Sequence, residues 1–233
     1  MSASEATAVE LDAQYRQLRE ECGLLDRAER GKLLVSGPDA AEYLQGQLTN
    51  DVESLEPGEG QYAALLDRKG HMQADMRVLN ASAVPFPRIA GIKNSWTSGG
   101  SAIWVDTEPE ALAAARRHRE SDAGGLDVEV ADVSGEWAIL SLIGPRSVEI
   151  AGTAALPENA CASASIAGIR FLAAGTREGI DAIAGAAEAG RLRDALLAAG
   201  AVAVAADAAE ILRVEAGVPR FGAEMGTATM PAE

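Results

Sequence analysis

The stretch on which the fold turns is Leu65-Leu66-Asp67-Arg68-Lys69-Gly70-His71-Met72-Gln73-Ala74-Asp75-Met76-Arg77-Val78. Residues 61–66 are apolar enough for a buried strand. Asp67-Arg68-Lys69-Gly70 is turn chemistry, and a second strand follows it. In that second strand Met72, Ala74, Met76 and Val78 alternate with His71, Gln73, Asp75 and Arg77. A period of two predicts the first set on the core and the second set together on the opposite face. Four polar side chains on one face either meet solvent or line a pocket.

Working outward, Leu11, Tyr15, Leu18 and Cys22 recur at helical spacing and predict a helix over residues 10–21 that Gly23 ends. Leu33-Leu34-Val35 reads as a strand, broken by Gly37-Pro38-Asp39, and a helix then runs to about Leu48. Residues 80–102 carry no period and read as a loop. Beyond them come a strand at Ile103-Trp104-Val105 and a helix with Asp106, Thr107 and Glu108 as cap candidates. Arg116-Arg117-His118-Arg119 forms the basic end of that helix. The second half repeats the grammar. Strands at 126–133 and 137–143 lead into Gly144-Pro145-Arg146 and a helix, as Leu33-Leu34-Val35 leads into Gly37-Pro38. Further strands are expected at 169–173 and 180–183, then an Ala-rich helix stopped by Gly200. A last helix is read as capped by Asp207, carrying Ile211, Leu212 and Val214, and closed by Gly217 and Pro219. The expectation is an α+β chain of two similar, interleaved units, residues 20–135 and 136–233.

Composition narrows the function classes. The chain has 233 residues, 48% apolar and 24% charged, enough to bury a sizeable core. Twenty basic against 35 acidic side chains give a formal charge of −15, which disfavours a nucleic-acid backbone or an anionic membrane as the main partner. No stretch approaches the length of a membrane span, and the chain reads as cytoplasmic. Two cysteines cannot build a disulfide framework or a four-thiolate metal site, and two histidines argue against a histidine-rich one. Cys22 reads as a packing residue on an apolar helix face, and Cys161 as a residue of a small-residue loop with room for exposure. Phosphate-cradling, dinucleotide, nucleophile-elbow and zinc-protease motifs are absent.

Five segments in order resemble one family. Glu21-Cys22-Gly23-Leu24-Leu25-Asp26, Leu33-Leu34-Val35-Ser36-Gly37-Pro38-Asp39, Gln47-Leu48-Thr49-Asn50-Asp51-Val52, Leu65-Leu66-Asp67-Arg68-Lys69-Gly70 and the final Leu212-Arg213-Val214-Glu215-Ala216-Gly217-Val218-Pro219-Arg220-Phe221-Gly222 resemble the YgfZ branch of the folate-binding fold. That fold is shared with the aminomethyltransferase (T-protein) of the glycine cleavage system. The resemblance implies tetrahydrofolate enclosed between α+β units and a C-terminal β-barrel. It also implies an aspartate beside the folate nitrogens that accept the one-carbon unit, which aligned through Gly70 is Asp75. Asn50, Gln73, Arg77 and Glu178 are the other expected folate-contacting residues, Arg77 as a base for the anionic glutamate tail. No catalytic residue and no metal ligand is assigned. The YgfZ branch implies folate binding in iron–sulfur cluster assembly or repair, with iron–sulfur client proteins as partners. The alternative is one-carbon transfer to tetrahydrofolate by an aminomethyltransferase. The chain is expected to be a truncated member, since it stops before the branch's cysteine motif and before the barrel, and residues 80–102 and 118–125 depart from the family pattern.

Overall fold

The computed structural model describes residues 3–82, 101–121 and 125–231, so the expected loop at 80–102 lies largely, and the departure at 118–125 partly, outside the described residues. The fold is mixed α+β with two sheets. By Cα proximity the chain divides into two compact units, each assembled from separate stretches.

The first unit holds Met1–Ala28, Ala138–Pro157 and Ser163–Pro219. Helix α1 (Ala3–Glu20) ends before the buried Cys22, and strand β1 (Gly23–Asp26) follows at once. That four-residue strand is too short to show a period, and reading Gly23 only as a helix stop misses it. The sheet of this unit further contains β7 (Trp137–Ile143), β8 (Cys161–Ile166), β9 (Ile169–Thr176), β10 (Gly179–Gly185) and β11 (Val202–Ala203). Its order is β11-β1-β7-β10-β9-β8. Helices α4 (Ser147–Ala151) and α5 (Ala186–Ala198) belong with it, and Leu140, Leu142, Phe171, Ile180, Leu192 and Leu196 form its core. Helix α6 (Ala206–Glu215) packs Ala208, Ala209 and Leu212 with Leu18 of α1. Asp207 does not cap α6. The cap position is Ala205 without a side-chain bond, and Asp207 lies in the first turn, where a carboxylate still suits the helix dipole. Leu212 is buried, whereas Ile211 and Val214 stay exposed.

The second unit holds Glu29–Trp137, Glu158–Ala162 and Arg220–Glu233. Its sheet is built from β2 (Gly31–Ser36), β3 (Gly60–Leu66), β4 (Met72–Asn80), β5 (Ala102–Thr107) and β6 (Glu129–Asp132), in the order β3-β4-β5-β2-β6. Helices α2 (Ala40–Gln45) and α3 (Pro109–Ser121) accompany it. Leu33, Val35, Met76, Val78, Ile103 and Val105 face Tyr43 and Leu44 of α2 and Ala111 of α3. Helix α2 is shorter than the expected run to Leu48, because Leu48 leaves it to bridge Leu65 on β3.

Two sequence readings change here. Asp106 is no helix cap: β5 continues through it, and α3 starts with Pro109 in its first turn. Cys161 is buried as the first residue of β8, and burial pushes its thiol up to about 11. Its strand reads Cys-Ala-Ser-Ala-Ser-Ile, too weakly apolar to register as a strand by pattern.

Each half of the sequence opens with a short strand that joins the other half's sheet. β1 precedes β2 in the chain but pairs antiparallel with β7; β6 precedes β7 but pairs antiparallel with β2. The loops behind these strands carry a matched device. Gly37 and Gly144 both sit at positive φ, +127° and +125°, directly after β2 and β7. A Cβ on Gly37 would lie 2.3 Å from the Asp127 carbonyl, and one on Gly144 would lie 2.5 Å from the Glu21 carbonyl. Only glycine meets both the conformation and the approach.

Candidate functional site

The hairpin expected around Gly70 forms, with Gly70 at φ +87° and Asp67 accepting from the Lys69 and His71 amides. Its second strand is buried on both faces. The apolar set packs into the core, while Asp75 and Arg77 are only 8% and 9% exposed on the other face. The polar face is therefore not an ordinary solvent face.

Register builds the site. Tyr62 on β3 is opposite Arg77 on β4, Arg77 is opposite Asp106 on β5, and Asp106 is opposite Lys32 on β2. One step along, Ala64 is opposite Asp75. The same antiparallel registers, continued by one residue, set Glu108 opposite Asp75 and Arg30 opposite Glu108. Two transverse rows of one face result: Tyr62, Arg77, Asp106, Lys32 and Ala64, Asp75, Glu108, Arg30.

The first row closes on itself. Asp106 is fully buried; its Oδ2 accepts from Arg77 Nε at 2.9 Å and from Trp104 Nε1 at 3.0 Å. Its Oδ1 accepts from Arg30 Nε at 3.0 Å, with Arg30 Nη2 at 2.8 Å. Burial alone would raise this carboxyl, but Arg77, Arg30 and the Trp104 N–H outweigh it and hold it below the usual range. Trp104 is itself fixed edge-to-face against Trp137, with ring centroids 5.6 Å apart. Lys32 is fully buried and donates from Nζ to the Arg30 carbonyl at 2.8 Å.

The second row is less settled. Glu108 is ion-paired to Arg30 Nη1, and Arg220 Nη1 stands 3.9 Å from its Oε2. Among the described residues Asp75 has no such ion pair of its own. Tyr62 Oη donates to its Oδ2 at 3.2 Å, and Thr107 Oγ1 donates to its backbone carbonyl. Burial, then the neighbouring Glu108 carboxylate, push the Asp75 carboxyl above the ordinary aspartate range, against the pull of Arg30 and of the Tyr62 hydrogen bond. Burial likewise pushes the Tyr62 phenol up, yet the residue as a whole is 48% exposed. An acid raised above the ordinary aspartate range thus lies beside a partly exposed aromatic ring.

The expected site residues divide. Asp75 and Arg77 share the face, but Arg77 is committed to Asp106, so its charge is not spare for an anionic tail. Gln73 lies at a register shift: Ala74 pairs with Leu65 and Met72 with Leu66, leaving Gln73 as the extra residue of a bulge. Burial still alternates from Met72, which packs in the core with Ala74, while the half-buried Gln73 turns its Nε2 to the Met72 carbonyl at 3.1 Å. Asn50 is exposed and accepts from Thr49 Oγ1 at 2.9 Å. Thr49 in turn holds the outer edge of β3 at Ala64, the residue opposite Asp75, through bonds of 3.0 Å in both directions. Glu178 is an exposed turn residue of the other unit, where its carbonyl accepts from the Gly144 amide. Tyr62, Asp106, Glu108 and Arg30 are the members that pattern reading missed. The signal was present: Trp104, Asp106 and Glu108 keep the period of two past Val105, which is strand grammar and not cap grammar.

The model of the GCVT N-terminal domain matches residues 4–233. The chain belongs to that family. Among relatives, an aminomethyltransferase of Listeria monocytogenes is 26% identical over 96% of this chain and 60% of its own length. A probable aminomethyltransferase of Halobacterium salinarum is 30% identical over 80% of this chain and 51% of its own length. The crystal structure of glycine cleavage system aminomethyltransferase T from Bartonella henselae superposes with a TM-score of 0.73 at 22% identity, covering 95% of this chain and 58% of that one. This GCVT N-terminal domain thus spans about 60% or less of the relatives it matches. Among the described residues, no helix is long and apolar enough to cross a membrane.

Proposed function

We propose that this chain contributes the tetrahydrofolate-contacting face of an aminomethyltransferase-type protein, with Asp75 as the residue that handles a proton at the folate nitrogens. The observation that carries the reading is Asp75 itself: buried, beside the partly exposed Tyr62, and with its carboxyl raised by burial and by Glu108. The donor set suits a reduced pterin. A carboxylate has about four acceptor sites, and the hydrogen bond from Tyr62 leaves capacity for ring and exocyclic N–H groups. Tyr62 offers an aromatic surface next to it. Tetrahydrofolate, when bound, supplies the nucleophilic nitrogen for a one-carbon unit. The chain's part is to hold that ligand and to exchange a proton: Asp75 accepts from an N–H when ionised and donates to a departing amine when protonated. Its raised carboxyl keeps both forms within reach nearer to neutrality than an ordinary aspartate would. The names of the relatives favour transfer over binding alone.

A second reading, the YgfZ one, has tetrahydrofolate bound without transfer in a protein that maintains iron–sulfur enzymes. The Lys69-Gly70 turn and the Arg220-Phe221-Gly222 ending support it.

Calorimetric titration of tetrahydrofolate into this chain and into Asp75→Ala tests the shared part. Loss of the hydrogen bond to Asp75 should cost about 1–3 kcal/mol, roughly five-fold to a hundred-fold in affinity. Equal affinity in both would remove Asp75 from the site. Absence of binding to either would remove folate. An assay for one-carbon transfer from an aminomethyl donor to tetrahydrofolate then separates the two readings: turnover supports the first, binding without turnover the second.

A further inference from the structure

The reading above uses Glu108 only as a neighbouring charge, yet register places it between the cation of its row and the acid. Arg30, Glu108 and Asp75 lie in that order across three neighbouring strand positions of one face. The Arg30 guanidinium is fully engaged in this arrangement, Nε and Nη2 with Asp106 and Nη1 with Glu108. Neighbouring strands are about 4.8 Å apart, so an arginine side chain released from Glu108 can span two of them.

We propose that Glu108 is a positioning residue: it holds the Arg30 guanidinium away from Asp75, so that the Asp75 carboxyl stays available to a ligand N–H. Without Glu108, Asp106 still holds Nε and Nη2, but Nη1 is released, and the Asp75 carboxylate, within electrostatic range of Arg30, is the next acceptor in that row. An Asp75 clamped by arginine would be a permanent anion with its lone pairs filled, unable to take or give a proton near neutrality. Arg220, from the segment that begins with it, stands 3.9 Å from the other oxygen of the same carboxylate and adds a second positive charge beside it. Asp106 serves the same end, because it draws both Arg30 and Arg77 to the first row.

The titratable and charged groups of this unit around Asp75 are Tyr62 from β3, Arg77 from β4, Asp106 and Glu108 from β5 and its continuation, Arg30 and Lys32 from the start of β2, and Arg220 from the last segment, with the Cys161 thiol next to Arg77. Among the described residues Asp75 forms no ion pair with any of these cations. Mere repulsion between two acids would also raise Asp75, so the test must separate repulsion from the hold on Arg30.

This inference rests on the folate reading for its purpose, but its test does not need the ligand. The midpoint of Asp75 is read by carboxyl-carbon NMR as a function of pH in the ligand-free chain, in Glu108→Gln, in Arg30→Gln and in the double variant. Glu108→Gln should lower the Asp75 midpoint by about one pH unit or more, the size expected for an acid that gains an arginine. In the Arg30→Gln background the same Glu108 substitution should lower it far less. A drop of equal size in both backgrounds would show plain repulsion and overturn the proposal, as would an unmoved midpoint in Glu108→Gln. Glu108→Asp keeps the charge and shortens the reach, and serves if the glutamine variant does not fold; the proposal expects a lowered midpoint, repulsion alone an unchanged or higher one. Tetrahydrofolate titration of the same variants then has its own meaning. Weakened binding in Glu108→Gln supports both ideas, whereas no binding to the unaltered chain alongside the expected NMR pattern sinks the folate reading and leaves the hold on Arg30 standing.

Discussion

The two units carry one frame with two different fillings. In the first, β7 runs into Gly144-Pro145 and α4, then β8, β9, β10 and α5 follow; in the second, β2 runs into Gly37-Pro38 and α2, then β3, β4, β5 and α3 follow. Strand orders correspond as well: β8-β9-β10-β7-β1 matches β3-β4-β5-β2-β6. The fillings diverge where the polar groups lie. The buried polar side chains of the first unit are Ser141, Asp181 and Ser147, with Ser141 donating to Asp181 at 2.5 Å. The second buries Lys32, Asp75, Arg77, Asp106 and Glu108 together. A frame needs glycines and apolar strands, which both units have. It does not need five buried ionisable groups, whose desolvation is costly unless each is held. The unit that bears that cost is the one for which we propose the ligand-contacting face.

Five substitutions probe this contrast. The largest effect is expected at Asp106→Asn, which leaves Arg30 and Arg77 buried with half their partner charge gone: about 3–5 kcal/mol by denaturant unfolding. The effect also depends on pH. The folded state keeps Asp106 ionised more strongly than the unfolded chain does, so its stabilisation is full above the ordinary aspartate value and is lost as pH falls through its depressed one. Ser141→Ala in the other unit should cost only about 1–3 kcal/mol. A cost at Ser141 equal to that at Asp106 would erase the contrast.

Gly37→Ala and Gly144→Ala come next and should cost alike, about 2–3 kcal/mol each, since each forces a Cβ at positive φ onto a backbone carbonyl. Unequal costs would mean that the two turns only look alike. The smallest effect has the opposite sign. The folded chain binds a proton at Asp75 more tightly than the unfolded chain, so stability declines as pH rises from the ordinary aspartate value to the raised one. Asp75→Asn should remove that slope and raise the melting temperature slightly at neutral pH. A lower melting temperature there would show that the carboxylate serves the frame and not the ligand-contacting face.

Much of the frame was legible because it is periodic. Strands such as Leu33-Leu34-Val35 and the hairpin about Gly70 announce themselves by apolar runs and turn residues, and the two Gly-Pro breaks announce the repeat. β1 and β8 were illegible for the opposite reason: one is four residues long, the other is built of Ala and Ser. Of the site, Asp75 and Arg77 could be placed on one face from alternation alone. Their partners could not, because Arg30, Asp106 and Glu108 come from strands whose register is set by tertiary pairing. A bulge at Gln73 shifts one expected member, and no single-strand pattern announces a bulge.

The exchanged opening strands also constrain how the chain emerges from the ribosome. β1 is made early, but its partner β7 is not available until all of the second unit's sheet has been synthesised, and β11, which pairs with its other edge, comes later still. β2 likewise waits for β6, made just before the other unit's β7. Neither sheet can be finished by a nascent chain that has released only its own half. A nascent Leu24-Leu25 segment is thus an open, apolar edge until β7 emerges, the kind of exposure on which holding chaperones act. Cutting this sequence between α3 and β6 would yield two fragments, each holding a strand that the other's sheet requires, so folding should return only when both are present together.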